Sequence, residues 1–317
     1  LDRRPLELRY PDGRGLRMPA GPPWLGFGLA VAGCVGWTWH DRWVLMRTAA
    51  AWGLAGFQCD PALTVDTLCQ GLPPAVRELL IDPLCVAALN TTAPQASAQV
   101  LLRVLRDALF TGSGSADLML PRRPLTELLP EPASRWLQAQ GTNVRLNTRV
   151  HQLQPVGAGW QLDGERFDAV VLACSAAEAS RLTQTIAPGW AEQASSLQYE
   201  PIVTVYLHWP GVRLPTPMMA LQESADAPAQ FAFDHGAIGG TPGVVALVVS
   251  GAARWVERGL PAIGTAALHQ AQQAFGAAGA SGEPEVLRVM AERRATFRCT
   301  PGLTRPACTV APGLAAA

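Results

Sequence analysis

The spacing of apolar residues changes character several times along the chain. Leu6, Leu8 and Tyr10 alternate with polar residues, Pro11-Asp12-Gly13 turns, and Gly15-Leu16-Arg17-Met18 returns, which predicts a short hairpin within residues 1–20. From Trp24 to about Phe110 the period is helical. The clearest helix runs from Gln95 to Phe110, where Val100, Leu101, Val104, Leu105, Ala108 and Leu109 recur on one face. Pro94 suits its first turn, and Gly112 and Gly114 end it. Arg103 and Asp107 stand an i,i+4 step apart off that stripe, with Arg106 between the faces.

The middle of the chain reads as helix, strand, meander, buried strand and helix. Glu131 to Gln140 is a short helix with Pro132 near its start and Gly141 at its end. Val144–Leu146 and Val150–Leu153 follow as strands, then a Gly157–Gly159 turn, Trp160–Leu162, an Asp163-Gly164 turn, and the apolar run Phe167–Ala173. A continuous apolar run is expected of a central strand buried on both faces. It leads into Ser175-Ala-Ala-Glu178, a capping-box sequence that opens another helix. An apolar strand feeding a capped helix marks a doubly wound sheet. Beyond Gln198, Tyr199–Trp209 and Val244–Val249 read as strands, Pro261–Phe275 as a helix, and Val286–Phe297 as a return to the sheet. No internal repeat or low-complexity linker interrupts this order, so two discontinuous, interleaved domains are expected.

Composition narrows the class. The chain has 317 residues, 49% of them hydrophobic and 16% charged, which excludes a disordered or fibrous protein. The 25 basic and 25 acidic residues cancel, so no net field draws the chain to nucleic acid. Every basic residue is an arginine, which removes Schiff-base and P-loop lysine chemistry from this chain. The seven cysteines are scattered without a CxxC pair, and the five histidines show no HExxH, so no disulfide framework or metal is expected. The longest apolar stretch, Trp24–Trp39, is broken by four glycines and falls short of the ~20 residues of a spanning helix. Contact with a membrane surface stays open. The opening Leu1-Asp2-Arg3-Arg4 has no signal-peptide character, and Val310–Ala317 reads neither as a helix nor as a finished strand.

Several blocks resemble a known family. They are Pro83-Leu-Cys-Val-Ala-Ala-Leu-Asn-Thr91, Ala96–Val100 with Val104–Asp107, Asp117–Pro121, Leu129–Ala133, Tyr199–Ile202 with Thr204–Tyr206, and Arg294–Phe297 with Thr300–Gly302. Together they resemble the squalene-associated FAD-dependent desaturases, the hydroxysqualene dehydroxylase family within the flavin amine oxidase and phytoene desaturase group. The resemblance covers nearly the whole chain, and Leu84–Asn90 is its most distinctive part. It implies an α/β fold (α+β overall) of the two-domain amine-oxidase type, with FAD as cofactor. It further implies an internal fragment lacking the family's first GxGxxG nucleotide-binding unit and its last flavin-contacting segment. In those terms residues 1–125 and 198–298 form the substrate domain, 126–197 the remaining FAD-binding segment, and 299–317 the start of the C-terminal FAD segment.

The activity implied by the resemblance is reductive removal of the hydroxyl of hydroxysqualene for squalene and hopanoid synthesis. An acid protonates the leaving hydroxyl, and reduced flavin delivers hydride. The implied partner is an isoprenoid, the implied location the cytoplasmic side of a bacterial membrane. For the cofactor, the residue matching Val150 meets the adenine through its backbone N–H and C=O, and Ala173, Cys174 and Ser175 lie near the dinucleotide at the carboxyl end of the buried strand. For the acid, Asp107 is the first candidate, with Arg106 beside it. Its plainer reading is an exposed ion pair with Arg103, and neighbouring arginines lower a carboxylate pKa. Cys85 and Asn90 are candidates to line the substrate cavity, against the plainer readings of a small buried apolar residue and a chain turn before Pro94. Tyr206 and His208 share a strand face that either points into a pocket or is simply half-buried. A carotenoid-type desaturase, a flavin amine oxidase and a non-catalytic fragment are the competing readings. The missing lysine counts against the amine oxidase.

Overall fold

The computed structural model describes residues 1–276 and 282–317. They form two compact units, Leu1–Leu128 with Tyr199–Gly302, and Leu129–Gln198 with Leu303–Ala317. The first unit opens with strands β1 (Asp2–Arg4), β2 (Glu7–Arg9) and β3 (Gly15–Arg17). Helices α1 (Pro23–Gly33), α2 (Trp39–Leu54), α3 (Val65–Leu68), α4 (Pro74–Val76), α5 (Asp82–Leu89) and α6 (Ala98–Phe110) follow, then β4 (Leu118–Leu120) and α7 (Leu125–Leu128). The second unit takes α8 (Pro130–Ala139), β5 (Leu153–Val156), β6 (Gly159–Leu162), β7 (Glu165–Phe167), β8 (Val170–Leu172), α9 (Ala176–Thr183) and α10 (Pro188–Ser195). The chain returns to the first in β9 (Tyr199–His208), β10 (Met218–Ala220), β11 (Phe231–Asp234), β12 (Val244–Val249), α11 (Ala253–Arg258), α12 (Leu260–Phe275) and β13 (Glu285–Phe297). It ends in the second with β14 (Thr309–Ala311) and β15 (Leu314–Ala316).

In the first unit five antiparallel strands lie in the order β10-β11-β12-β9-β13. Alternation along β9 turns Val203, Val205 and Leu207 into the core with Ile263, Ala267 and Ala271 of α12, and leaves Thr204, Tyr206 and His208 half-exposed on the other face. Tyr206 stacks edge-on against His235, and His208 Nδ1 lies 3.2 Å from Glu285. A second core gathers the hairpin, the helices and the β10–β11 edge through Leu8, Leu16, Leu45, Ile81, Leu101 and Phe231. The predicted hairpin is present as β2 and β3. β1, which alternation alone does not place, pairs with β4 more than a hundred residues later.

Local chemistry sets the helix ends. α2 starts at a full capping box, with the Asp41 N–H donating to Thr38 Oγ1 (3.2 Å) and the Thr38 N–H to Asp41 Oδ2 (2.8 Å). α4 and α5 are joined by a π-helical turn, Arg77–Ile81. Pro83 has no N–H, and its ring crowds the carbonyl four residues back, so the wider turn relieves both faults. α6 begins at Ala98 rather than Gln95, because the Ser97 hydroxyl accepts from the Val100 N–H and defines the cap.

The second unit departs from the sequence reading at several points, among them the strand read at Val150–Leu153, which instead runs Leu153–Val156. Val144–Leu146 forms no strand; Leu146 is exposed, with no partner strand among the described residues. The apolar run Phe167–Ala173 is two strands, with Phe167 ending the β5-β6-β7 meander and Val170–Leu172 entering a sheet of order β14-β15-β8. Val171 in that second strand is exposed, so the run is not buried on both faces. The box at Ser175 is half formed: its hydroxyl accepts from the Glu178 N–H, but the Glu178 carboxylate goes to Arg149 and Arg181 instead. The C-terminal residues, read as neither helix nor strand, are a hairpin turning at Gly313, and β15 runs parallel to β8. Gly313 has φ +73°, and a Cβ there would stand 3.1 Å from Trp160 Nε1, so any side chain would be both strained and crowded.

Candidate functional site

In the second unit a cavity of about 520 Å³ opens at the carboxyl end of β8. Val150, Ala173 and Cys174 all line it, and Ser175 caps the helix that starts beside it. The structure therefore brings the four cofactor candidates to one place. Its walls are apolar at Leu153, Leu172 and Leu182 and charged at Arg149, Glu178 and Arg181. Arg181 spans the rim, donating to the carbonyls of Val150 (2.8 Å) and His151 (2.9 Å) and pairing with Glu178. Hydrogen bonds from Arg181 and the charge of Arg149 hold the Glu178 carboxyl below its usual range. The Val150 carbonyl thus accepts one of its two possible hydrogen bonds from Arg181.

These features test the fit of FAD. An apolar slot with one backbone donor suits an adenine ring, and a sheet edge meeting a helix start is where dinucleotides lie in such folds. The turn Ala173-Cys174-Ser175 contains no glycine, so it provides no close cradle for a pyrophosphate. The residues present fit the nucleoside end of the cofactor.

In the first unit Asn90 and Cys85 belong to a buried hydrogen-bonded cluster. Asn90 ends α5 in the left-handed conformation, φ +46°. Its side-chain amide donates to the Glu200 carbonyl (3.0 Å) and Thr296 Oγ1 (3.0 Å), and its oxygen accepts from the Gly251 N–H (2.7 Å). The buried Glu200 carboxylate accepts from Arg298 Nε (2.7 Å) and the Ala253 N–H (3.0 Å). Cys85 Sγ contacts the Thr91 carbonyl, and burial pushes its thiol up to about 12, so it is no nucleophile. Three of the resembling blocks, around Asn90, Glu200 and Thr296, thus meet through side-chain bonds. The sequence offers Asn90 as a cavity residue or as a chain turn before Pro94; it does end α5 as a turn, while its ties to Glu200 and Thr296 run to blocks whose partners lie far off in the chain.

Asp107 and Arg106 stand apart from that cluster, on the outer face of α6. Asp107 is exposed and takes Arg103 Nε at 2.8 Å and Arg106 at 3.4 Å. The arginines hold its carboxyl below the usual range, which is the wrong direction for an acid. Two other carboxyls go the right way. Asp82 and Glu223 line a cavity of about 530 Å³ together with Arg77 and Arg254; partial burial raises the Asp82 carboxyl, and desolvation at the cavity wall raises that of Glu223, which is otherwise exposed. Asp82 Oδ1 is buried without a hydrogen-bond partner among the described residues.

The chain belongs to the family of flavin containing amine oxidoreductases, whose model matches residues 64–297. It is a family of FAD-dependent oxidoreductases. Among individual proteins, the chain is 34% identical over 118 residues to a hydroxysqualene dehydroxylase from Rhodopseudomonas palustris, covering 34% of this chain and 28% of that one. A second hydroxysqualene dehydroxylase, from Sinorhizobium fredii, is 34% identical over 74 residues, or 23% and 18% of the two chains. The matched stretch is less than a third of either relative. An oxidoreductase from Methanosarcina mazei shares the fold, with a TM-score of 0.63 and 12% identity over 99% of this chain and 81% of that one.

Proposed function

We propose that this chain is part of an FAD-dependent hydroxysqualene dehydroxylase that removes the hydroxyl of hydroxysqualene to form squalene, working as a peripheral protein on the cytoplasmic side of a bacterial membrane. The observation that carries the reading is the similarity to two hydroxysqualene dehydroxylases within the flavin family. When bound, reduced FAD supplies hydride to the carbon that loses oxygen. Val150, Ala173, Cys174 and Ser175 hold the nucleoside end of the cofactor. A leaving hydroxyl needs a proton, and an acid serves best with a pKa near the working pH. Within the first unit Asp82, raised by burial and with Oδ1 unpartnered among the described residues, is the better candidate acid than Asp107. The Asn90 cluster positions strands β9 and β13 and does not touch the reacting atoms.

The test begins with FAD titration of the purified chain, followed by flavin fluorescence quenching. Anaerobic incubation with reduced FAD and hydroxysqualene then gives squalene, detected by mass spectrometry. Asp82→Asn keeps FAD binding and loses turnover, while Asp107→Asn keeps both. A product with added double bonds assigns a desaturase instead. Absence of FAD binding places the activity outside this chain.

A further inference from the structure

The first unit carries an apolar face that its own core leaves uncovered. α1 contains no polar side chain, yet Leu29 is 63% exposed and Trp24 and Leu25 also face outward. On α2, Trp39, Trp43, Met46 and Leu54 form one stripe at helical spacing, with Trp39 at 78% and Trp43 at 60% exposure. α1 and α2 pack together, and a Cβ on Gly28 would stand 3.9 Å from Met46 Cε, so the two surfaces adjoin. A helix that is apolar on all sides is normally covered, and a contiguous apolar patch marks a surface that meets an apolar partner.

The charges around the patch indicate which partner. The Arg42 guanidinium lies 4.8 Å over the Trp39 ring, and that of Arg47 5.0 Å over Trp43. α1 has no ionisable group, and Asp41, the acid on α2, is buried in its own capping box. Arg42 is held by the Cys34 carbonyl (2.8 Å), so the exposed Arg47 is the cation of the pair that meets phosphate, and tryptophan rings with such an arginine beside them suit the headgroup boundary of a bilayer. No helix among the described residues is long and apolar enough to cross a membrane, so the contact is with the surface.

A cavity of about 240 Å³ lies behind the same face. Phe27, Leu84 and Leu105 line it, together with Trp24, Met46 and Phe110, which are themselves exposed, so it opens where the patch is. Pockets for whole ligands of drug size run to roughly 300–1,000 Å³, which makes this one sized for part of a chain.

We propose that α1 and α2 rest on an anionic phospholipid bilayer and that the cavity behind them receives the end of a hydrocarbon chain from it. The proposal adds a surface and a port to the membrane placement above. Its readouts are lipid and chain binding, so it stands or falls separately from FAD binding and turnover.

The test is co-sedimentation of the full chain with phosphatidylcholine vesicles, with and without phosphatidylglycerol. The chain is expected to bind the anionic vesicles and to be released by high salt. Trp39→Ala with Trp43→Ala should lower the partition coefficient by at least about tenfold, and Arg47→Gln should narrow the preference for phosphatidylglycerol. Ala49→Phe, which narrows the cavity, should weaken binding of cis-parinaric acid by about tenfold while vesicle binding persists. Circular dichroism melts and gel filtration establish that each variant is folded. Failure of the native chain to bind anionic vesicles, or equal binding by the double tryptophan variant, overturns the docking surface. A dimer lost in that variant, without vesicle binding, assigns the face to a second copy and overturns it as well. Unchanged cis-parinaric binding in folded Ala49→Phe overturns the port.

Discussion

The Asn90 side-chain amide donates to Thr296 Oγ1 at 3.0 Å across 206 positions of sequence. The same residue bonds the Glu200 carbonyl and the Gly251 N–H, so one side chain ties the end of α5 to β9, β13 and the turn after β12. Asparagine suits the position twice over: it tolerates the left-handed backbone, and its amide has both donors and an acceptor.

Removing that amide takes one hydrogen bond each from the buried Glu200 carbonyl, the Thr296 hydroxyl and the part-buried Gly251 N–H. Asn90→Ala should destabilise the first unit by about 2–4 kcal/mol. Asn90→Gly, which relieves the backbone but also lacks the amide, should lose nearly as much. Urea melts followed by tryptophan fluorescence check both; a midpoint that stays put in Asn90→Ala refutes the role of the amide.

Asp82 and Glu223 imply a defined pH response. Each carboxyl is raised in the folded chain, so the folded state holds protons that the unfolded state has already released. Stability is therefore greatest below the ordinary carboxylate range and falls as pH rises through it toward the raised values. Glu178 and Asp163 are lowered and act in the opposite direction, losing their contribution as pH falls. Asp82→Asn should flatten the decline on the alkaline side. Denaturant midpoints measured between about pH 4 and 8 decide it.

The thiols should separate by accessibility. Cys174 and Cys308 are exposed, whereas Cys34, Cys69 and Cys85 are buried, with thiols pushed to about 11, 12 and 12. Iodoacetamide should label the exposed pair first in the native chain. Because Cys174 lines the cleft at the end of β8, FAD should slow its labelling and leave Cys308 unchanged. Peptide mass spectrometry reads both rates.

Arg181 holds two consecutive carbonyls in the segment that leads into β5. Arg181→Ala should loosen that segment, at a cost of about 1 kcal/mol given its partial exposure. Hydrogen exchange around Val150 should rise more than at β9. Equal protection in both places would contradict the clamp.

Regular strands and helices were legible wherever the pattern was local. β12 coincides with the predicted Val244–Val249, and β13 and α12 extend their predicted ranges by one residue. β10 and β11 were not legible, since Met218–Ala220 and Phe231–Asp234 are too short to show a period and exist as strands through their neighbours in the sheet. Phe167–Ala173 misled for a related reason: read as one apolar run, it hides the change of sheets at Asp168-Ala169, which the aspartate marks. At the site, Val150, Ala173, Cys174 and Ser175 are close in sequence to the elements that gather them. Glu200, Thr296 and Arg298 were missed because their roles depend on contacts made across the chain. The raised carboxyl of Asp82 was likewise not legible, because it comes from partial burial that the sequence around Pro83 does not display.

The Asn90 bridge also sets a timetable. Ribosomes add about 5–20 residues per second, so roughly 10–40 seconds separate the emergence of Asn90 from that of Thr296. During that interval the helices from α1 to α6 are already outside the ribosome, with their apolar face bare and the end of α5 still waiting for its partners. Until β13 arrives the end of α5 lacks its Thr296 partner, while the outward face of α1 and α2 is as bare in the nascent segment as in the finished fold.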